Sequence, residues 1–416
     1  MSPRRFVPLL SLLAACSIFT TESKGPPPLL TELPRSLSAP EALLIGAGNQ
    51  FGFDLLREAR AEAGAPDSNL FLSPVSAAMA LGMTLNGAAG TTLDSMRLAL
   101  RLESAPLADV NAGFSSLIAL LKGLDGTSEF QIANSIWADA GFPFLPTFLT
   151  AGRANFDAEV RTLDLQAPAT LGIVNDWVKD KTNDKIPTIL DEIRADEVMF
   201  LINALYFKGK WRVAFDPKDT RPAPFHAADG STQNVPTMLL APTTQRYAET
   251  AEYRAVELLY GNGAFGMTIV LPAPGRTLAD LLNGLDTTRW AEWTGALHEQ
   301  KIGLTLPKFR IEYKRELKED LSKLGMGVAF DENRADFSNM ADLSQAGARL
   351  FLTRVTQKTF VDVNEEGTEA AAATSVGVGV TSAPLTLSVD RPFLFAIRER
   401  LSGTIFFLGQ VNRIGN

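Results

Sequence analysis

Two histidines and a single cysteine leave this 416-residue chain few routes to covalent or metal chemistry. His226 and His298 lie far apart, with no His-Glu-x-x-His pair, no clustered metal ligands and no Gly-x-Ser-x-Gly elbow. His226 follows Phe225 ahead of a polar turn and reads as an exposed loop residue, whereas His298, in a charged stretch, reads as a solvated helix face. Gly-Asn-Gly-Ala-Phe-Gly at 261–266 has the spacing of a dinucleotide loop, but that use needs a helix directly after it. Here strand-like runs at 255–260 and 267–271 flank it, so it reads as a hairpin turn. The expectation is a protein that is not an enzyme, without cofactor or metal site.

Chemistry done to the chain is a different matter, and residues 361–383 invite it. From Thr368 onward one parity holds Thr368, Ala370, Ala372, Thr374, Val376, Val378 and Val380, small or apolar. The other holds Glu369, Ala371, Ala373, Ser375, Gly377, Gly379 and Thr381, mostly polar or lacking a side chain. This is the period-two pattern of a half-buried strand. Four successive alanines have poor β propensity, however, and an ordinary central strand would carry bulky β-branched and aromatic residues. Small side chains suit a strand that slides between neighbours already in place, and the composition equally suits a low-complexity surface loop.

Asn-Glu-Glu-Gly-Thr-Glu-Ala-Ala-Ala-Ala-Thr at 364–374 resembles the hinge of the reactive-centre loop of inhibitory serpins. Further segments resemble that family in its order: Asn-Leu-Phe-Leu-Ser-Pro-Val-Ser at 69–76, Val-Asn-Asp-Trp-Val at 174–178 and Asn-Ala-Leu-Tyr-Phe-Lys-Gly-Lys-Trp at 203–211. Leu-Pro-Lys-Phe at 306–309 and Asp-Arg-Pro-Phe-Leu-Phe at 390–395 extend it, so the resemblance spans about residues 43–413. It implies a single α+β domain at 41–416, with a large central β-sheet, further sheets, surrounding helices and an exposed reactive-centre loop at about 365–385. It implies a suicide substrate: a serine protease, or a cysteine protease, acylates on the loop, and the cut loop inserts as a new strand before the acyl bond is hydrolysed. The hinge then comprises Glu366, Gly367, Thr368, Glu369, Ala370, Ala371, Ala372, Ala373 and Thr374. Family spacing from Gly367, and back from Pro392, places the scissile bond between Thr381 and Ser382, with Val380–Thr381 as the neighbouring possibility. A small uncharged Thr381 suits the shallow pockets of elastase-like or subtilisin-like enzymes and offers nothing to a trypsin-like one. Ser73, Asn203, Trp211 and Gln357 resemble the family's sheet-opening region, although Gln357 stands where a histidine is common. A non-inhibitory relative, acting as a binding protein or a mere protease substrate, is the other reading that the resemblance admits.

At the N-terminus, Arg4 and Arg5 precede an apolar run that ends in Leu-Ala-Ala-Cys at 13–16. This resembles a bacterial lipoprotein signal, which implies cleavage after residue 15 and a thioether lipid on Cys16. As the only cysteine, Cys16 can make no internal disulfide; it also reads as an ordinary small residue of a cleaved leader. Residues 16–40 hold Pro26, Pro27, Pro28, Pro34 and Pro40 and read as an extended tether holding the domain off a membrane. Exported, lipid-anchored placement at a bacterial envelope or cell surface follows as an expectation, with an extracellular location as the alternative, as does a monomer touching membrane only through the anchor.

Loss of Arg4 and Arg5 takes the formal net charge from −8 to −10, which speaks against nucleic acid as a partner. With 46% hydrophobic and 21% charged residues the chain has the means for a sizeable soluble core. Length alone allows two or three domains, while the spread of the resemblance favours one. Helical patterns fall at 41–62, 75–87, 92–100, 109–121, 170–181 and 315–324, and strand patterns at 266–271, 302–309, 393–397 and 404–411. Grouping without regular βαβ alternation favours α+β.

Overall fold

A computed structural model describes residues 26–62, 67–347, 349–368 and 385–415. Helices α1 (Ala39–Ala61), α2 (Pro74–Leu85), α3 (Gly90–Ala99), α4 (Leu107–Lys122), α5 (Pro146–Phe156) and α6 (Thr170–Lys181) occupy the first half, interleaved with strands. The strands are β1 (Leu70–Leu72), β2 (Glu129–Asp139), β3 (Ala158–Leu163), β4 (Met199–Lys210), β5 (Arg221–His226), β6 (Thr232–Glu249), β7 (Tyr253–Leu259) and β8 (Phe265–Pro272). They continue with β9 (His298–Pro307), β10 (Phe309–Glu316), β11 (Thr356–Asn364), β12 (Gly367–Thr368), β13 (Thr386–Ser388), β14 (Phe393–Glu399) and β15 (Ile405–Val411).

They form two sheets. The nine-stranded one runs β1-β15-β14-β8-β7-β6-β9-β13, with β5 paired to β6; the six-stranded one runs β10-β11-β12-β4-β2-β3. The chain passes from the first to the second at Lys308, whose N–H donates to the Pro236 carbonyl between β9 and β10. Strands β14 and β15 are buried at every position, and Phe71 stacks between Phe395 and Phe407 at centroid distances of 5.5 and 5.1 Å. A second, smaller core joins Trp137, Val174, Trp177, Ile186, Leu190, Phe200 and Ile202 on the outer face of the six-stranded sheet.

Helix α1 begins where the sequence supplies both halves of a capping box. Ser38 accepts from the Glu41 amide, and the Glu41 carboxylate accepts from the Ser38 amide, with Pro40 in the first turn. Arg35 forks onto the buried Glu41 carboxylate at 2.6 and 2.8 Å. That hydrogen bonding holds the Glu41 pKa at about 2 despite burial.

Several expectations shift. Residues 315–316 belong to β10, where Arg315↔Gln357 and Glu316↔Thr356 extend the ladder with β11. Helix there is confined to Lys318–Leu321, followed by an irregular turn at Ser322–Met326 in which Gly325 takes φ 106°. The strand expected over 302–309 ends at Pro307. His226 closes β5 and His298 opens β9, so neither is a loop or helix residue, although both are exposed. The 261–266 motif does form a hairpin turn, joining β7 to β8 with Gly261 at φ 41° and Gly263 at φ 80°. Residues 26–38 lie along the body: Arg212 donates to the Pro27 carbonyl at 2.6 Å, Leu30 N–H donates to Asn262 O, and Leu30, Leu33 and Leu37 pack on the main core.

Candidate functional site

The six-stranded sheet is two paired blocks held together by very little. β10 and β11 pair along eight residues, and β4 pairs with β2 along ten. Among the described residues, β12 is the only hydrogen-bonded link between the blocks, and it is two residues long. Beyond it the facing edges of β4 and β11 carry backbone donors and acceptors that could template a further strand. A cavity of about 160 Å³ lies in this gap, lined from one side by Met199, Leu201 and Asn203 and from the other by Thr356 and Gln357.

Gly367 and Thr368, the described part of the sequence-expected hinge with Glu366, are already in the sheet. Gly367 sits at φ 154°, and a Cβ there would come within 2.0 Å of the Gly209 carbonyl oxygen, so both backbone and space demand glycine. Thr368 is 3% exposed, and its hydroxyl shares a 2.7 Å hydrogen bond with the Tyr260 hydroxyl. Burial pushes the Tyr260 pKa far above its ordinary value, with the Thr368 bond opposing, so the phenol stays neutral.

The turn that reverses β11 into β12 is clamped from both sides. Trp211 donates from Nε1 to Asn364 O at 2.9 Å and from its backbone to Glu366 O at 2.8 Å, and its ring stacks on Tyr260 at 4.5 Å and 13°. Glu365 accepts from Lys308 Nζ at 2.8 Å and from the Thr220 hydroxyl at 2.8 Å, while its carbonyl accepts from Phe215 N–H. Burial pushes the Glu365 pKa up, but Lys308, the backbone and Thr220 together bring it below the usual glutamate value.

Lower in the gap, Ser73 and Gln357 come together and Asn203 stands apart. Gln357 accepts from Ser73 N–H at 3.0 Å and donates back to Ser73 O at 2.8 Å, so its amide grips the N-cap of α2 reciprocally. The Ser73 hydroxyl donates to Phe406 O in β15 and accepts from Ser76 N–H. Asn203 instead donates to Asn134 Oδ1 at 2.7 Å, with Met79 sulfur at 3.6 Å. Its own Oδ1 is buried and accepts no hydrogen bond from any described residue.

The segment after α6 crosses the outer face of the gap. Lys185 lies over Phe360 of β11 at 5.4 Å, Lys314 of β10 pairs with Asp191, and Arg354 reaches Glu197. Tyr260 and Asn134 lie outside the family-like segments, whereas Lys308 and Glu365 fall within Leu-Pro-Lys-Phe at 306–309 and Asn-Glu-Glu-Gly at 364–367, and all four come from separate elements. Cys16, the hinge residues Glu369, Ala370, Ala371, Ala372, Ala373 and Thr374, and the bond Thr381–Ser382 lie outside the described residues. Among the described residues no group of three or more His, Cys, Asp or Glu is placed to hold a metal ion, and no helix is long and apolar enough to cross a membrane.

A family model described as Serpin (serine protease inhibitor) matches residues 46–414. Iripin-2 of Ixodes ricinus is 35% identical over 383 residues, covering 90% of this chain and 94% of the relative. Leukocyte elastase inhibitor of Bos taurus is 35% identical over 366 residues, covering 83% and 93%. Human thyroxine-binding globulin superposes with a TM-score of 0.82 at 27% identity, covering 91% of this chain and all of that one.

Proposed function

The chain belongs to the serpin family, and we propose that it is an irreversible inhibitor of serine proteases of elastase-like or subtilisin-like specificity. The observation that carries this reading is the parted six-stranded sheet, bridged among the described residues by the hinge residues Gly367 and Thr368. A protease serine attacks the carbonyl carbon of Thr381, the Thr381–Ser382 bond breaks, and the new amine leaves on Ser382. The acyl-enzyme remains on Thr381. Freed at that end, the loop continues β12 down the gap, pairs with both edges and draws the attached protease from its working geometry before water can cleave the ester. Relaxation is one-way, because the uncleaved loop cannot complete the sheet.

The relatives named as protease inhibitors support this reading, and the small residues of the hinge support it further. The thyroxine-binding relative keeps a non-inhibitory reading in view. One gel separates the two: mixed with pancreatic elastase or subtilisin, an inhibitor gives a covalent complex that survives SDS, and a mere substrate gives only the nicked chain. The released C-terminal peptide should begin at Ser382; a start at Thr381 moves the bait to Val380. Thr381→Arg should redirect trapping to trypsin-like enzymes with folding nearly unchanged.

The same reading places a lipid on Cys16 and the protein, as a monomer, at a bacterial envelope or cell surface. Since Pro27 and Leu30 are bound to Arg212 and Arg400, the spacer length available lies before Pro27. Metabolic labelling with a clickable fatty acid, lost in Cys16→Ser, tests the anchor.

A further inference from the structure

Helix α2 is buried at every position from Pro74 to Leu85 but one. The exception is Ala80, half-buried although its neighbours Met79 and Leu81 are 0% and 1% exposed. An alanine in such surroundings keeps its exposure only where open space adjoins it. That space is the cavity of about 160 Å³, to which α2 contributes Ser76, Ala77, Ala80 and Thr84, spaced to share one helix face. Small side chains on this face leave the volume unfilled. Thr84 adds no free donor, because its hydroxyl hydrogen goes to the Ala80 carbonyl at 2.9 Å.

Across from α2 the cavity is walled by apolar side chains, among them Phe144, Leu201, Phe337 and Leu350. Most of the charged residues that line it already have partners. Glu197 accepts from Arg354 Nη2 at 2.9 Å and from Arg194 N–H at 2.8 Å, Lys358 pairs with Glu312 at 2.9 Å, and Asp196 lies in the field of Arg194. Arg349 differs. It is exposed, it lines the same cavity, and among the described residues its guanidinium meets only the Asn333 carbonyl, so its charge has no acid beside it. An apolar chamber thus opens past a single unmatched cation.

We propose that this cavity binds a small monocarboxylate with an apolar chain, the chain lying against Ala80, Leu201 and Leu350 and the carboxylate on Arg349. An apolar cavity of about 150 Å³ takes up benzene, so the volume suits a body of about six carbons or a little more. At the exposed rim the guanidinium edge not facing Asn333 can fork onto both carboxylate oxygens. A cation would be repelled there, and a neutral molecule of the same shape would leave Arg349 unmatched. A sugar-like ligand would find few open partners, since Thr84, Gln357 and Glu197 are all engaged. Binding needs no movement of the sheet and holds whether or not the protein is an inhibitor.

The test is calorimetric titration of the full-length, uncleaved protein with sodium octanoate at neutral pH. One octanoate per chain should bind, and hexanoate should bind about ten-fold more weakly, the weight of two methylenes withdrawn from the cavity. Arg349→Gln should weaken octanoate about five-fold, the weight of one rim-exposed ion pair, while 1-octanol binds variant and wild type alike. Ala80→Leu should fill the cavity and abolish binding of both. Absence of saturable octanoate binding overturns the proposal, as does Ala80→Leu protein that binds octanoate with full affinity. No loss in Arg349→Gln, or an equal loss for 1-octanol, removes the guanidinium from the site and the choice of ligand with it. Should Ala80→Leu not fold, the chain-length comparison decides: equal binding of hexanoate and octanoate would place the chain outside the cavity and overturn the assignment.

Discussion

The two sheets of this molecule are built from similar strands and closed in opposite ways. In the nine-stranded sheet, β14 lies between β15 and β8 with both ladders filled, and its side chains are buried throughout. In the six-stranded sheet, β4 and β11 are equally central in position, yet the described residues join them only through Gly367 and Thr368. One sheet holds its packing free energy in contacts already made, and the other leaves facing backbone edges and a cavity lined by Met199, Leu201, Asn203, Thr356 and Gln357. A stable frame with one unfinished element is what a one-way conformational trap needs. The polar groups at the gap differ accordingly: Tyr260, Trp211 and Glu365 tie the turn at one end, while further down Asn203 Oδ1 accepts no hydrogen bond from the described residues.

Substitutions placed in one sheet or the other sharpen this contrast. The largest effect should come from Thr368→Arg, which sets an unpaired cation against the buried Tyr260 and costs several kcal/mol for the paired state of β12. The variant should be cut at the usual bond and trap nothing; an undiminished yield of SDS-stable complex would show that the hinge does not enter here. Next comes Phe395→Ala in the nine-stranded sheet, where a fully buried ring packs on Phe71 and Phe309. It should cost about 3–5 kcal/mol in denaturant unfolding of both intact and nicked protein, leaving the difference between them unchanged. A change in that difference would mean the two sheets are not independent reservoirs. Trp211→Phe removes the Nε1 bond to Asn364 O and should cost about 1–3 kcal/mol locally, seen as faster hydrogen exchange at the 364–368 turn rather than as global unfolding.

The smallest effect concerns pH. Glu365 is held below the usual glutamate value, so its pairing contributes stability above that usual value and loses it as pH falls through the lowered one. Acidification from pH 6 to below 4 should therefore loosen the turn in wild type by a step that Glu365→Gln lacks. Equal acid response of the two proteins would remove Glu365 from the clamp.

How far the sequence foretold this is instructive element by element. Helix α6 was legible to its ends at 170–181 because it buries one stripe and exposes the other. The strand β4 gave no alternating signal, since its odd positions face the main core and its even ones the smaller core under α6; Met-Phe-Leu-Ile is apolar on both sides. The helix expected over 315–324 lost its first two residues to pairing with β11 and kept Lys318–Leu321. At the site, family resemblance pointed to Gly367 and Thr368 and to a cluster of Ser73, Asn203 and Gln357, of which Ser73 and Gln357 meet and Asn203 pairs with Asn134. The Tyr260 hydroxyl and the Asn134 amide were not legible, because their roles arise only when residues 108 and 69 positions from their partners meet.

Thermal unfolding of the protein before and after a single cut within residues 378–383 tests the central claim most directly. If the six-stranded sheet is unfinished and the loop is its missing strand, the nicked protein should melt well above the intact one, while Thr368→Arg abolishes the rise. A nicked protein that melts at or below the intact midpoint would contradict the account.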